Sequence, residues 1–285
     1  MNRNNLILII SFLLIFTINA SSQVPFISKE IGSDFNRGME FFNKQKYPAA
    51  IRLFDSFIKS EDKSNILLAA EAEYYSALAA LKLFNPDGEY RMIKFLQTHP
   101  ESPRINKARL ELADYFYQNK NYKKAVTYYE SINKKELEPD KLPEYFFRFG
   151  YSLYNTGDKS RAQLMFAEIK DIDTEYTPPA VYYYSQIAYE QKMYETALEG
   201  FMRLKEDETF GSVVPFYIVQ IMYIQKNYDG ILTVAPELLN LAGKEKNPEL
   251  YRFIGDAYYN KENYKEALIY LEKSAAGSKV SGRED

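Results

Sequence analysis

From about residue 30 onward, apolar residues recur at spacings of three, four and seven, broken by short polar turns. That spacing puts them on one stripe of a helix. Around 146–153 the stripe is Phe146, Phe149, Gly150 and Leu153, followed by the turn Asn155-Thr156-Gly157-Asp158. Around 251–258 it is Tyr251, Ile254, Gly255 and Tyr258, followed by Asn260-Lys261-Glu262-Asn263. A second helical pattern follows each such turn. In it a small residue has a Tyr three positions before it and a large apolar residue four after it. Clear copies centre on Ala50 with Phe54, Ala125 with Tyr129, Ala197 with Phe201 and Ala267 with Leu271. Ala162 with Phe166 lacks the Tyr, and copies at Glu89 with Ile93 and Ile231 with Ala235 are degenerate. Successive centres are 39, 36, 37, 35, 34 and 36 residues apart. That is the length of one helix–turn–helix unit, so the chain reads as a tandem array of helix pairs.

Small residues in the first helix of each pair (Gly38, Ala77, Ala113, Gly150, Ser185 and Gly255) let the second helix approach closely. On this reading Gly150→Leu overpacks the pair and costs about 2 kcal/mol or more. Pro143, Pro179, Pro215 and Pro248 fall in opening turns, where a missing N–H is tolerated. Pro236 falls inside a second helix, where a kink is expected.

With these residues in view, the chain resembles the tetratricopeptide repeat family, of the exported bacterial envelope type. Residues 247–276 carry the pattern nearly throughout, at Tyr251, Ile254-Gly255, Tyr258, Ala267, Leu271 and Ser274. The resemblance implies an all-α fold, an α-α superhelical solenoid of about seven tetratricopeptide helix-turn-helix repeats. They are expected at about 31–63, 70–100, 106–138, 143–176, 178–208, 212–244 and 248–276, with 277–285 as the start of a truncated eighth. The solenoid as a whole spans 23–285.

Composition narrows the chemistry. The 285 residues include no Cys and a single His, His99, so disulfides, thiol nucleophiles and cysteine zinc sites are excluded. No phosphate-binding glycine loop or hydrolase motif is present, and the acidic run Glu206-Asp207-Glu208 falls in a turn. The reading is no enzyme, no cofactor and no metal. A net charge of −3 gives no basic field, so nucleic acid is not expected as a partner.

Residues 1–22 read as a signal peptide, with Arg3, an apolar run from Leu6 to Ile18, and the small residues Ala20-Ser21-Ser22. The run is 13 residues, short of the roughly 20 that span a bilayer, so no stable membrane span is expected after cleavage. Mean hydropathy of −0.42 agrees. Export without cysteine points to the periplasm of a diderm bacterium.

In the resembling family the first helices line a concave surface. The positions that map onto it are Tyr117, Phe147, Tyr151, Tyr154, Tyr182, Gln186, Tyr189 and Tyr223. With 26 Tyr and 19 Phe in the chain, this groove is rich in rings that offer large contact area with few rotatable bonds. The expected function is a non-catalytic scaffold or adaptor that holds a protein or peptide segment there. The alternative is an N-terminal accessory repeat module of a larger envelope machine or enzyme whose active part lies outside this chain.

Overall fold

A computed structural model describes residues 32–60, 66–242 and 247–280. The leader expected over 1–22 and residues 281–285 lie outside them. The described residues form fourteen α-helices and no strand. In chain order these are α1 (Ser33–Asn43), α2 (Tyr47–Lys59), α3 (Ile66–Lys82), α4 (Gly88–Thr98), α5 (Ile105–Gln118), α6 (Tyr122–Glu130), α7 (Leu142–Asn155) and α8 (Lys159–Ala167). Then come α9 (Thr177–Glu190), α10 (Tyr194–Arg203), α11 (Val214–Ile224), α12 (Tyr228–Leu241), α13 (Asn247–Asn260) and α14 (Tyr264–Val280). Odd-numbered helices are the first and even-numbered the second of each pair. Residues 277–280 continue α14.

Every first helix stops in the same way. The second residue beyond it takes a left-handed backbone: Gln45, Phe84, Lys120, Gly157, Lys192, Lys226 or Glu262. The next N–H then reaches back five residues, as from Asn121 to Phe116 O (2.9 Å) and Met193 to Ala188 O (2.8 Å). This is the Schellman closure, which satisfies carbonyls left over at the helix end. Only Gly157 adopts that conformation without a side-chain cost. At four of these turns the following residue, Asn or Asp, caps the second helix. Asn121, Asp158, Asn227 and Asn263 accept from Lys124, Arg161, Gly230 and Glu266 N–H. Prolines sit in the opening turns of α2, α7, α9 and α11. Pro236 lies inside α12, which continues on both sides of it.

The chain divides into two compact units, 1–85 and 86–285. In the first, α1, α2 and α3 enclose Ala50, Phe54, Phe57 and Ala72. A Cβ on Gly38 would meet the Phe54 ring at 2.7 Å, so this glycine is required by the close crossing of α1 and α2. In the second unit, the pairs from α5 to α14 repeat the same packing. A Cβ on Gly150 would meet Phe166 at 2.9 Å and Met165 at 3.0 Å. Gly38, Gly150 and Gly255 thus make room for Phe54, Phe166 and Leu271, each four positions beyond the second helix's small residue. One copy differs from the sequence pattern. In α4 the buried positions are Gly88, Met92 and Phe95, not Glu89 and Ile93. Pro86 and Asp87 occupy a turn before α4, which shifts the register by one residue.

The first helix of each pair also covers the preceding second helix. Its residue two before the small position wedges between them. Tyr183 stacks on Phe166 (5.6 Å between ring centroids) and Tyr217 on Phe201 (4.9 Å). In the first unit Tyr75 does the same on Phe54 (6.1 Å).

Candidate functional site

The eight residues singled out from sequence all lie in the second unit, on α5, α7, α9 and α11, and all are half-buried. Two of them meet across the α5–α7 gap, where Tyr117 and Tyr151 pack edge to face at 5.9 Å. Phe147 stacks on Tyr151 within α7 (6.0 Å). Gln186 Nε2 donates to the Tyr182 hydroxyl one helical turn away (3.1 Å). Tyr154, Tyr189 and Tyr223 touch none of the other seven through ring contacts. Their rings pack on Tyr183 (5.1 Å), Tyr217 (5.8 Å) and Phe253 (5.1 Å) respectively. The wedge residues join the columns into one band.

The wedge column is the part that sequence reasoning missed. It sits one residue beyond the column Phe147, Tyr182, Phe216, and the signal was the paired aromatics Tyr182-Tyr183 and Phe216-Tyr217. In α7 that slot holds Arg148. Its guanidinium pairs with Asp114 Oδ2 (3.0 Å) and Glu144 Oε1 (2.5 Å) and lies 5.5 Å from the Tyr117 ring centroid. Tyr129, where three other copies have Phe54, Phe166 and Phe201, donates its hydroxyl to Asp114 Oδ1 (2.5 Å). The result is one satisfied polar knot within an otherwise aromatic band.

Burial dominates the electrostatics. It holds the Asp114 carboxyl above the usual carboxylate range, against the pull of Arg148 and the Tyr129 hydroxyl. Burial pushes the Tyr117 phenol up to about 12. Tyr183 is raised by burial and by the neighbouring Tyr151 hydroxyl. These phenols stay protonated at neutral pH, so they can both donate and accept hydrogen bonds. No group of three or more metal-ligating side chains occurs among the described residues. Nor is any helix there long and apolar enough to cross a membrane. The acidic run at 206–208 serves its own turn, with Asp207 Oδ1 accepting from the Thr209 and Phe210 N–H groups (2.9 Å each). The band offers stacking rings, phenol hydroxyls, an amide and one ion-paired cluster. That set fits recognition of a polypeptide better than bond making or breaking.

No known family profile matches the chain. No curated protein matches it in sequence. Solved structures do match it in shape. A crystal structure of MamA protein is 16% identical, covering 63% of this chain and 94% of that one with a TM-score of 0.51. A structure of MamA AMB-1 is 17% identical, covering 64% and 94% with a TM-score of 0.50. A tetratricopeptide repeat protein from Parabacteroides merdae is 10% identical over 86% of this chain and 92% of that one, with a TM-score of 0.49. At these identities the likeness concerns fold alone. With its paired helices, its small-residue crossings and its period of 34 to 39 residues, this chain has the all-α tetratricopeptide repeat fold.

Proposed function

We propose that the protein is a non-catalytic interaction scaffold in a diderm bacterial envelope, reached through the leader at 1–22. A partner segment lies along the band of α5, α7, α9 and α11. The observation that carries this reading is the band itself. Side chains from four successive first helices leave half-buried rings and phenol groups on one connected surface. A core without a binding role needs no hydroxyls here, because Phe fills the same volume without a polar group to satisfy. Tyr117, Tyr151, Tyr154, Tyr182, Tyr189 and Tyr223 hold the hydroxyls, and Gln186 adds an amide.

Affinity capture with in-cell crosslinking, using tagged wild type beside a Tyr154→Phe/Tyr189→Phe variant, tests this reading. The rings remain in that variant, so the fold is kept while two hydrogen-bonding groups are removed. A specific envelope protein recovered with wild type and depleted about tenfold or more with the variant supports the proposal. Equal recovery of the same proteins, or a partner that is cytoplasmic, would overturn it.

A further inference from the structure

The first helices from α5 to α13 occupy equivalent places but differ in charge. Lys, Arg, Asp and Glu make up 26% of the chain. α5 holds Lys107, Arg109, Glu111 and Asp114, and α7 holds Glu144 and Arg148. α13 holds Glu249, Arg252 and Asp256. Between these, α9 and α11 hold only Glu190, at the end of α9 and ion-paired to Lys159 (2.5 Å).

The change runs slot by slot. One position beyond the small residue, or beyond its counterpart Val219, Asp114 in α5 and Asp256 in α13 give way to Gln186 in α9 and Gln220 in α11. Two positions before it, Arg148 in α7 gives way to Tyr183 and Tyr217. These four replacements are all half-buried, so they reach solvent beside Tyr189 and Tyr223 and do not form a closed core. The adjoining second helices keep their charges. α8 carries Lys159 and Arg161, and α10 carries Glu195, Glu199 and Arg203. Charge is therefore missing from the first-helix face of two successive pairs and from nowhere beside it. Depletion of charge together with enrichment in aromatic rings marks the centre of a protein interface.

We infer that the partner segment crosses α9 and α11 as a stretch of uncharged polypeptide. This specifies the partner of the scaffold proposed above and rests on that reading. A charged side chain laid over Tyr182, Gln186, Tyr189 and Gln220 would lose its water, and the only charge on either helix is Glu190, already paired. Burying a charge without a partner is costly. On either side the charges of α7 and α13 return, so the requirement is local. Each helix is about 10 Å across, so crossing both takes about six residues of extended chain. The amides of Gln186 and Gln220 and the phenol hydroxyls can donate to and accept from peptide groups, which such a segment offers without charge. Stacking of sugar rings fits less well. Tyr182, Tyr183 and Tyr217 already have a face stacked on Phe210 (4.6 Å), Phe166 (5.6 Å) and Phe201 (4.9 Å).

Photoreactive residues placed at Gln186 and Tyr223 of the full chain in cells, with the crosslinked partner peptide sequenced by mass spectrometry, test this. The expected peptide has no Asp, Glu, Lys or Arg within about three residues of the attachment point. Affinity capture with Gln220→Glu and Gln220→Lys gives a second reading, with melting curves to show that both variants fold. Each should lower recovery of that partner about tenfold, because a charge of either sign is left unmatched. A charged residue beside the attachment point, or better recovery with one of the two variants, overturns the inference and leaves the scaffold reading standing. Recovery unchanged by both variants does the same. No crosslinked product at either position, or a glycan in place of a peptide, overturns both.

Discussion

Two successive junctions in the second unit use the same backbone slot for opposite chemistry. Between α8 and α9 the slot holds Tyr183, stacked on Phe166 at 5.6 Å and touching Tyr154 at 5.1 Å. Between α6 and α7 it holds Arg148, and three neighbours have changed with it. Asp114 and Glu144 supply the countercharge, and Tyr129 replaces Phe to donate to Asp114. An aromatic wedge needs only shape from its surroundings. A buried charge needs a matching partner, and each partner must in turn be satisfied. The aromatic slot can therefore accept single changes at graded cost, whereas the charged slot must change as a set.

The largest expected effect breaks the charged junction. Arg148→Ala strands Asp114 in a site where burial already disfavours its ionised form, and should cost about 3–5 kcal/mol in denaturant unfolding. A loss below about 1 kcal/mol would mean that the knot is solvated and that the comparison fails. Next, Tyr183→Ala should cost about 2–3 kcal/mol, less than a fully buried ring because Tyr183 is half-exposed. Tyr183→Phe should cost under about 1 kcal/mol, since the stack on Phe166 survives. Equal losses for the two variants would show that the hydroxyl, not the ring, fills the slot.

A smaller effect concerns the turns. Asn or Asp caps α6, α8, α12 and α14, whereas α10 begins after Met193, which caps nothing. Met193→Asn should therefore stabilise by about 1 kcal/mol, read as a raised midpoint. The smallest effect is the pH dependence of the charged junction. The Asp114 carboxyl is raised in the folded state, so the native protein keeps a proton that the unfolded chain has released. Its contribution to stability is largest below the ordinary carboxylate value and is lost as pH rises through the raised value. Asp114→Asn has no such loss. The stability of wild type relative to that variant should therefore increase from pH 7 to pH 4, and a decrease would reverse the assignment.

Much of the fold was legible because its constraints leave marks on residue type. A close helix crossing demands Gly, Ala or Ser, and Gly38, Gly150 and Gly255 announce it. An opening turn tolerates Pro, as Pro143 and Pro215 show. The helix stops were hidden, because six of the seven left-handed positions are not glycine and the tertiary packing carries their cost. The α4 register was hidden by the turn at Pro86-Asp87, which alters spacing without altering composition. The columns expected to line a groove fall half-buried on successive first helices, whereas the wedge column was not singled out. Neighbouring tyrosines such as Tyr182 and Tyr183 look alike in sequence, and only the rotation of the helix decides which one enters the interface between pairs.

The central claim is that the band on α5 to α11 holds a partner segment, and site-specific photocrosslinking in cells tests it most directly. A photoreactive residue at Gln186, within the band, is compared with one at Leu164, exposed on α8 outside it. The account predicts a discrete crosslinked product at 186 and none at 164. A product at 164 alone, or no product at 186 across growth conditions, would contradict it.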